Sequence, residues 1–65
     1  MNNIFKYRDQ NGMKQAELAR KVKCSRAHMS ALEAGRVNAS PKLAKKIGEA
    51  LGIPPHAVIY PNEPY

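Results

Sequence analysis

Residues 15–35 carry the most regular apolar pattern of the chain, two short runs in which apolar side chains recur at helical spacing. The two stripes consist of Leu18, Ala19 and Val22, and then of Met29 and Leu32. Each stripe predicts a short helix with one buried face, because positions three or four residues apart lie on the same side of an α-helix. Ser25 is a typical N-cap and Gly35 a typical terminator, so residues 15–34 predict two helices joined by a tight turn.

Further helices are predicted before and after this pair. The first runs from about residue 4 to residue 11, with Asn2 or Asn3 as its N-cap and Gly12 as its terminator. Ser40 followed by Pro41 is typical of a helix start, and this helix is expected to end near residue 51.

The last twelve residues predict a short fifth helix and a tail. Pro54 and Pro55 mark the helix start, and Val58 and Ile59 supply its apolar face. Residues 61–65 contain two more prolines and are expected to form an extended tail, since proline cannot continue a helix. We therefore expect residues 1–65 to form one compact all-α domain of four to five helices.

The charge balance favours a polyanionic partner. Eleven lysines and arginines face five acidic residues, which gives a net charge of +6 on only 65 residues. A charge excess can also mean no more than a solvated surface. Placement favours the first interpretation, because many of the cations fall at helix ends and turns around residues 15–36.

Other functional classes find little support in the sequence. The single Cys24 cannot form an internal disulfide, no Cys/His cluster predicts a metal site or cofactor, and no nucleophile–base pair predicts an enzyme. His28 and His56 are too isolated to be a ligand pair. No apolar run is long enough to cross a membrane, so we expect a cytoplasmic, nucleoid-associated protein.

The motif residues resemble a known family. They are residues 13–22, Ser25, Met29, Leu32-Glu33, Gly35-Arg36 and, later, Leu51-Gly52-Ile53. In this combination they resemble the phage-repressor and Cro-type (XRE-like) helix-turn-helix family over roughly residues 4–60. The resemblance implies a lambda-repressor-like domain that binds double-stranded DNA, with the helix-turn-helix at residues 15–34 and the third helix in the major groove.

The resemblance also implies which side chains read bases. Arg26 and Ala27 occupy the matching positions, and His28, Ser30 and Ala31 complete the same exposed face, of which Ser30 and Ala31 are also expected to read bases. Arg26 has the geometry to bond guanine O6 and N7 together, and the Ala27 methyl group can touch a thymine methyl group. A regulator of this kind would read a sequence-specific site.

A second group is expected to contact DNA phosphates. It consists of Lys14, Gln15, Lys23, Ser25, Arg36 and Asn38. Gln15 matches a position that binds the DNA backbone in the family; the alternative is a surface glutamine without such a role. Ser25 is expected to cap the third helix whether or not it contacts DNA. Lys14 replaces a capping residue at a helix start, where the helix dipole disfavours a cation, and Lys23 replaces the usual turn glycine, where a left-handed backbone disfavours a side chain.

Two further predictions follow from the resemblance. Arg8 and Glu33 match an ion pair that ties the first helix to the third, the alternative being two independent surface charges. Val58, Ile59 and Tyr60 match the region of the two-fold contact in the family. Since part of this apolar face must pack on the fourth helix, we expect a weak homodimer that is completed on DNA.

Together these observations predict a repressor of the Cro type that binds a pseudo-palindromic operator. The alternative is a protein-interaction module, such as an antitoxin or anti-repressor, built on the same fold. Steeply salt-dependent affinity for duplex DNA favours the first function, whereas an unbroken apolar surface patch without such affinity favours the second.

Overall fold

The computed structural model describes residues 2–65, and over this range the chain forms five α-helices without a β-strand. The helices are α1 (Asn3–Gln10), α2 (Gln15–Lys21), α3 (Arg26–Ala34), α4 (Pro41–Leu51) and α5 (Pro55–Ile59). The predicted all-α class is confirmed. The helices begin and end within about two residues of the expected positions, because their caps are local sequence signals.

Three helices begin at a polar side chain that accepts a backbone N–H. Asn2, Ser25 and Ser40 each accept the N–H of the residue three positions later, at 3.0–3.2 Å. Helix α2 lacks such a cap, since the ammonium group of Lys14 has no lone pair to offer. Its first turn is held instead by Glu17, whose carboxylate accepts the Lys14 N–H at 3.3 Å.

One apolar core joins all five helices. Its fully buried large side chains are Ile4, Leu18, Met29, Leu32, Ile47 and Val58. Small residues allow the helices to approach closely. Ala19 of α2 is buried in the core. A Cβ atom added to Gly48 of α4 would lie 2.5 Å from the carbonyl oxygen of Ile53. Any side chain at Gly48 would therefore push α4 away from the chain that leads into α5.

The C-terminal segment differs from the extended tail expected from its prolines. It turns at residues 60–63, where the Glu63 N–H donates to the Tyr60 carbonyl at 3.1 Å, and returns to α1. There the buried Asn3 donates its backbone N–H to Pro61 at 2.8 Å and its side-chain N–H to Glu63 at 2.7 Å. The buried backbone and side-chain N–H groups of Asn3 need acceptors, and Pro61 supplies one for the backbone while Glu63 supplies one for the side chain.

Candidate nucleic-acid interface

Helix α3 has a buried face and an exposed face. Met29, Leu32 and Glu33 point into the molecule, whereas Arg26, Ala27 and His28 are exposed, and Ser30 and Ala31 are half-buried. The residues with which we expect the protein to read bases therefore lie together on the first two turns of one helix. Among them Arg26 has the longest hydrogen-bonding side chain.

The turn between α2 and α3 is closed by backbone hydrogen bonds around Lys23. The Lys23 N–H donates to the Arg20 carbonyl at 3.2 Å, and the Cys24 N–H donates to the Ala19 carbonyl at 2.9 Å. This pattern requires a left-handed residue between the helix and the turn, and Lys23 supplies it with φ at +61°. Lys23 thus has the left-handed backbone for which glycine was the residue expected at this turn.

A salt bridge connects α1 to α3. The Arg8 guanidinium donates from Nε to Glu33 Oε2 at 2.7 Å and from Nη2 to Glu33 Oε1 at 3.0 Å. Both side chains are largely inaccessible, 12% and 3% exposed, and the hydrogen bonds to Glu33 raise the pKa of Arg8 above its ordinary value. A third donor, Nη1, bonds the Met13 carbonyl at 2.7 Å. Arg8 thereby fixes both α3 and the loop that leads into α2.

Gln15 takes part in the same network. Its side-chain nitrogen donates to Glu33 Oε1 at 3.2 Å, so one of its two amide N–H bonds is directed into the protein. The other N–H bond has no acceptor within residues 2–65. Gln15 stands at the first position of α2, where the backbone N–H groups are also free to bind an anion.

The cations expected at the interface have no acidic partner in the described structure. Lys14, Lys23, Arg26 and Arg36 are exposed, as are Ser25 and Asn38. Within residues 2–65 the Arg8–Glu33 pair is the one salt bridge, so these four side chains make no ion pair there. Their charge remains available to an anionic partner.

Asn2 is a residue of this region that the sequence did not single out beyond its role as an N-cap. Its side-chain nitrogen donates to the carbonyl oxygen of Leu32 at 2.7 Å, while its oxygen caps α1. One amide thus satisfies a carbonyl group at the end of α3 and an N–H group at the start of α1. A contact between residues 30 positions apart leaves no local signal in the sequence.

The predicted dimer residues fall into two groups. Val58 is only 1% exposed and packs in the core, so its assignment to a dimer interface was wrong: this side of α5 is already covered by α4. Ile59 is half-buried, and Tyr60 is 58% exposed. Both line a cleft of about 340 Å³ between Asn38 and the tail.

Cys24 packs against the core, and burial raises the pKa of its thiol, which keeps it in the less reactive protonated form. Across residues 2–65, no three His, Cys, Asp or Glu side chains lie close enough together to hold a metal ion. No helix in this range has the length and apolar character needed to span a membrane.

An exposed, partly basic helix is thus held against a second short helix by a tight turn, which is the arrangement of a helix-turn-helix. A family model described as helix-turn-helix matches residues 4–58, and the chain therefore belongs to the helix-turn-helix family of the Cro and phage-repressor (XRE) type. Proteins of this family are DNA-binding regulators of transcription rather than enzymes. No curated protein and no solved structure matched the chain.

Proposed function

We propose that the protein is a Cro-like transcriptional repressor that inserts α3 into the major groove of its operator and acts as one domain. The observation that carries this proposal is the exposed start of α3, where Arg26 and Ala27 extend from a helix whose other face is fixed by Leu32 and Glu33. A rigid helix with a free outer face suits the major groove, which is wide enough to admit it.

Base recognition is assigned to Arg26, Ala27, Ser30 and Ala31. Arg26 bonds the O6 and N7 atoms of a guanine, and Ser30 offers a hydroxyl group that serves as donor or acceptor. The small side chains of Ala27 and Ala31 let the helix backbone approach the base edges and offer methyl groups to thymine.

Phosphate contacts are assigned to the residues that surround this face. They are Lys14, Gln15, Lys23, Ser25, Arg36 and Asn38. The free N–H bond of Gln15 and the start of α2 bind one phosphate together, since the helix dipole and the unpaired N–H groups both favour an anion there. Glu33 holds the Gln15 amide in place for this contact.

Selection of binding sites from random duplex DNA at a fixed salt concentration tests the function. A Cro-like repressor enriches a sequence with two related half-sites about 34 Å apart. Affinity for the enriched duplex should fall steeply with salt, and Lys14→Ala or Arg36→Ala should each reduce the log–log slope by about one unit. Failure to enrich any sequence, with no salt dependence, would refute the proposal.

Dimerisation is assigned to Ile59 and Tyr60, which line the cleft beside Asn38. This apolar surface is small, so the dimer should be weak in solution and complete on DNA. Sedimentation with and without a duplex that carries both half-sites measures this. Two protomers per duplex are expected, and Tyr60→Glu should reduce cooperative binding while a single half-site is bound as before. A single protomer at saturation on a tightly bound site would rule the dimer out.

A further inference from the structure

The start of the chain and α1 are attached to the last turn of α3 at two places. One is the Arg8–Glu33 salt bridge, and the other is the hydrogen bond at 2.7 Å from the Asn2 side chain to the carbonyl oxygen of Leu32. Asn2 and Arg8 are six residues apart, about 9 Å along the axis of α1, whereas Leu32 and Glu33 are neighbours on α3. The same turn of α3 is therefore held from two well-separated points.

The Asn2 bond holds the backbone of α3 directly. The side-chain nitrogen of Asn2 lies closer to the Leu32 oxygen than the Gly35 nitrogen does, 2.7 Å against 3.2 Å. The oxygen of the same amide accepts the Phe5 N–H at 3.2 Å, and Asn2 is only 5% exposed. A short side chain that is enclosed and bonded at both ends of its amide has little freedom to move. The long Arg8 side chain has more rotatable bonds, so the salt bridge alone leaves α3 more freedom to tilt.

A tilt of α3 has its largest effect at the start of the helix, where Arg26 and Ala27 lie. Arg26 is six residues from Leu32, which corresponds to about 9 Å along the helix axis. A tilt of about 10° around Leu32 would therefore move Arg26 by about 1.6 Å. Hydrogen bonds to base edges tolerate such a shift poorly, since their donor–acceptor distances span only about 2.7–3.2 Å. Loss of orientation at the end of α3 thus becomes loss of base recognition at its start.

We propose that Asn2 is a positioning residue for base recognition, because its bond to the Leu32 carbonyl sets the angle at which α3 presents Arg26 and Ala27 to the major groove. Asn2 is buried, so it acts on recognition only through α3. The inference rests on the proposed function, in which α3 reads bases. It does not follow from the family match, which covers residues 4–58 and begins after Asn2.

The next residue provides a matched control. Asn3 is also 5% exposed and also donates its side-chain N–H bonds to carbonyl oxygens, but these belong to Ala57 and Glu63 and not to α3. Asn2→Ser keeps an oxygen that can cap α1, adds no charge and is too short to reach the Leu32 carbonyl. Asn3→Ser makes the same chemical change and removes buried hydrogen bonds of the same kind. A difference between the two variants therefore reports on the attachment to α3.

The orientation of α3 is measured first in the free protein, from residual dipolar couplings of the backbone N–H groups in the ¹⁵N-labelled chain. In Asn2→Ser the couplings of residues 26–34 should no longer fit the orientation of α3 relative to α4 that the unchanged chain shows. In Asn3→Ser they should fit as before. An unchanged orientation in Asn2→Ser would overturn the proposal, whatever happens to DNA binding.

Recognition is then measured as the ratio of the affinities for a selected half-site and for a scrambled duplex of the same length. A single half-site keeps dimerisation out of the measurement. Asn2→Ser should lower this ratio about tenfold, which is equivalent to the loss of one bidentate base contact, whereas Asn3→Ser should stay within about twofold of the unchanged chain.

The outcomes separate this inference from the proposed function. An unchanged chain that does not distinguish the two duplexes would refute the proposed repressor function and the inference with it. A chain that distinguishes them equally well before and after Asn2→Ser would refute the inference alone. Equal losses in Asn2→Ser and Asn3→Ser would mean a general loosening of α1 and would also overturn it.

Discussion

The two faces of α3 differ in how far the rest of the molecule determines them. On the inner face Leu32 and Met29 are enclosed by the core, and Glu33 accepts hydrogen bonds from Arg8 and Gln15. On the outer face Arg26 is exposed and forms no hydrogen bond or ion pair with its side chain inside residues 2–65. The inner face is fixed by folding, whereas the outer face is free to be fitted to DNA.

This difference separates stability from recognition within a helix of nine residues. Substitutions on the inner face are expected to change the free energy of unfolding, because they remove contacts that exist in the free protein. Substitutions on the outer face should change the affinity for DNA, because the partners proposed for these side chains are DNA groups, which the free protein lacks. Four predictions test the separation, beginning with the largest expected effect.

Leu32→Ala should lower the free energy of unfolding by about 2–5 kcal/mol, since Leu32 is only 1% exposed and its removal leaves a cavity. This is a large part of the stability of so small a domain. Urea denaturation measures the loss. Ala34→Ser on the exposed side of the same helix is the control and should change stability by less than about 0.5 kcal/mol. Similar effects of the two substitutions would contradict the separation.

The inner face was predictable from the sequence because its signals are local. Apolar residues at helical spacing identified Leu18, Met29 and Leu32 as core, and their burial confirms this. Ser25 and Ser40 are recognisable as N-caps because each bonds a residue only three positions away. Local chemistry of this kind determines most of the helix boundaries.

The sequence could not show which distant groups meet. The hydrogen bonds from Asn2 to Leu32 and from Asn3 to Glu63 span 30 and 60 positions, and no local sequence pattern predicts them. For the same reason the tail was expected to be extended and Val58 was placed at an interface. The roles proposed for the outer face came from the family resemblance, since exposed residues have no partner in the chain to reveal their use.

Arg26→Ala should reduce affinity for the selected operator by about 1–3 kcal/mol and relax the preference at one base pair, with stability unchanged. Titration of both the operator and a scrambled duplex measures the two effects. Arg20→Ala is the matched control, because it removes the same charge from an exposed position of α2 outside the proposed interface. An equal loss on both duplexes would make Arg26 a phosphate contact instead.

The left-handed position in the turn between α2 and α3 provides a test with a smaller expected effect. The test exchanges the residue types found at the ends of two helices. Lys23 and Gly35 both have positive φ, at +61° and +77°. In each case the N–H of this residue and the N–H of the next residue donate to carbonyl groups of the preceding helix. Lys23→Gly should raise the free energy of unfolding by about 0.5–1 kcal/mol, because relief of strain exceeds the added entropy of the unfolded chain.

Gly35→Lys is the reverse change and should lower stability by a similar amount, since a Cβ atom there meets no other atom within 4 Å and only the backbone strain differs. Thermal unfolding without DNA compares the two variants. Lys23→Gly should at the same time weaken binding to operator and scrambled duplex alike, because it removes the cation that we propose to contact a phosphate. A loss of stability in Lys23→Gly would show that the lysine is held by contacts that offset its strain.

The smallest expected effect concerns the methyl group of Ala27. Replacing the thymine proposed as its partner by uracil removes one methyl group from the DNA and should weaken binding by about 0.5 kcal/mol, less than the full transfer energy of a methyl group because a contact across the groove buries only part of it. Ala27→Gly should abolish the preference for thymine over uracil. Each protein is measured with both the thymine and the uracil duplex. Any loss of helix stability in the glycine variant therefore cancels in the ratio of its two affinities. A ratio that Ala27→Gly leaves unchanged would assign the thymine contact to another residue, for which Ala31→Gly is the next variant to measure.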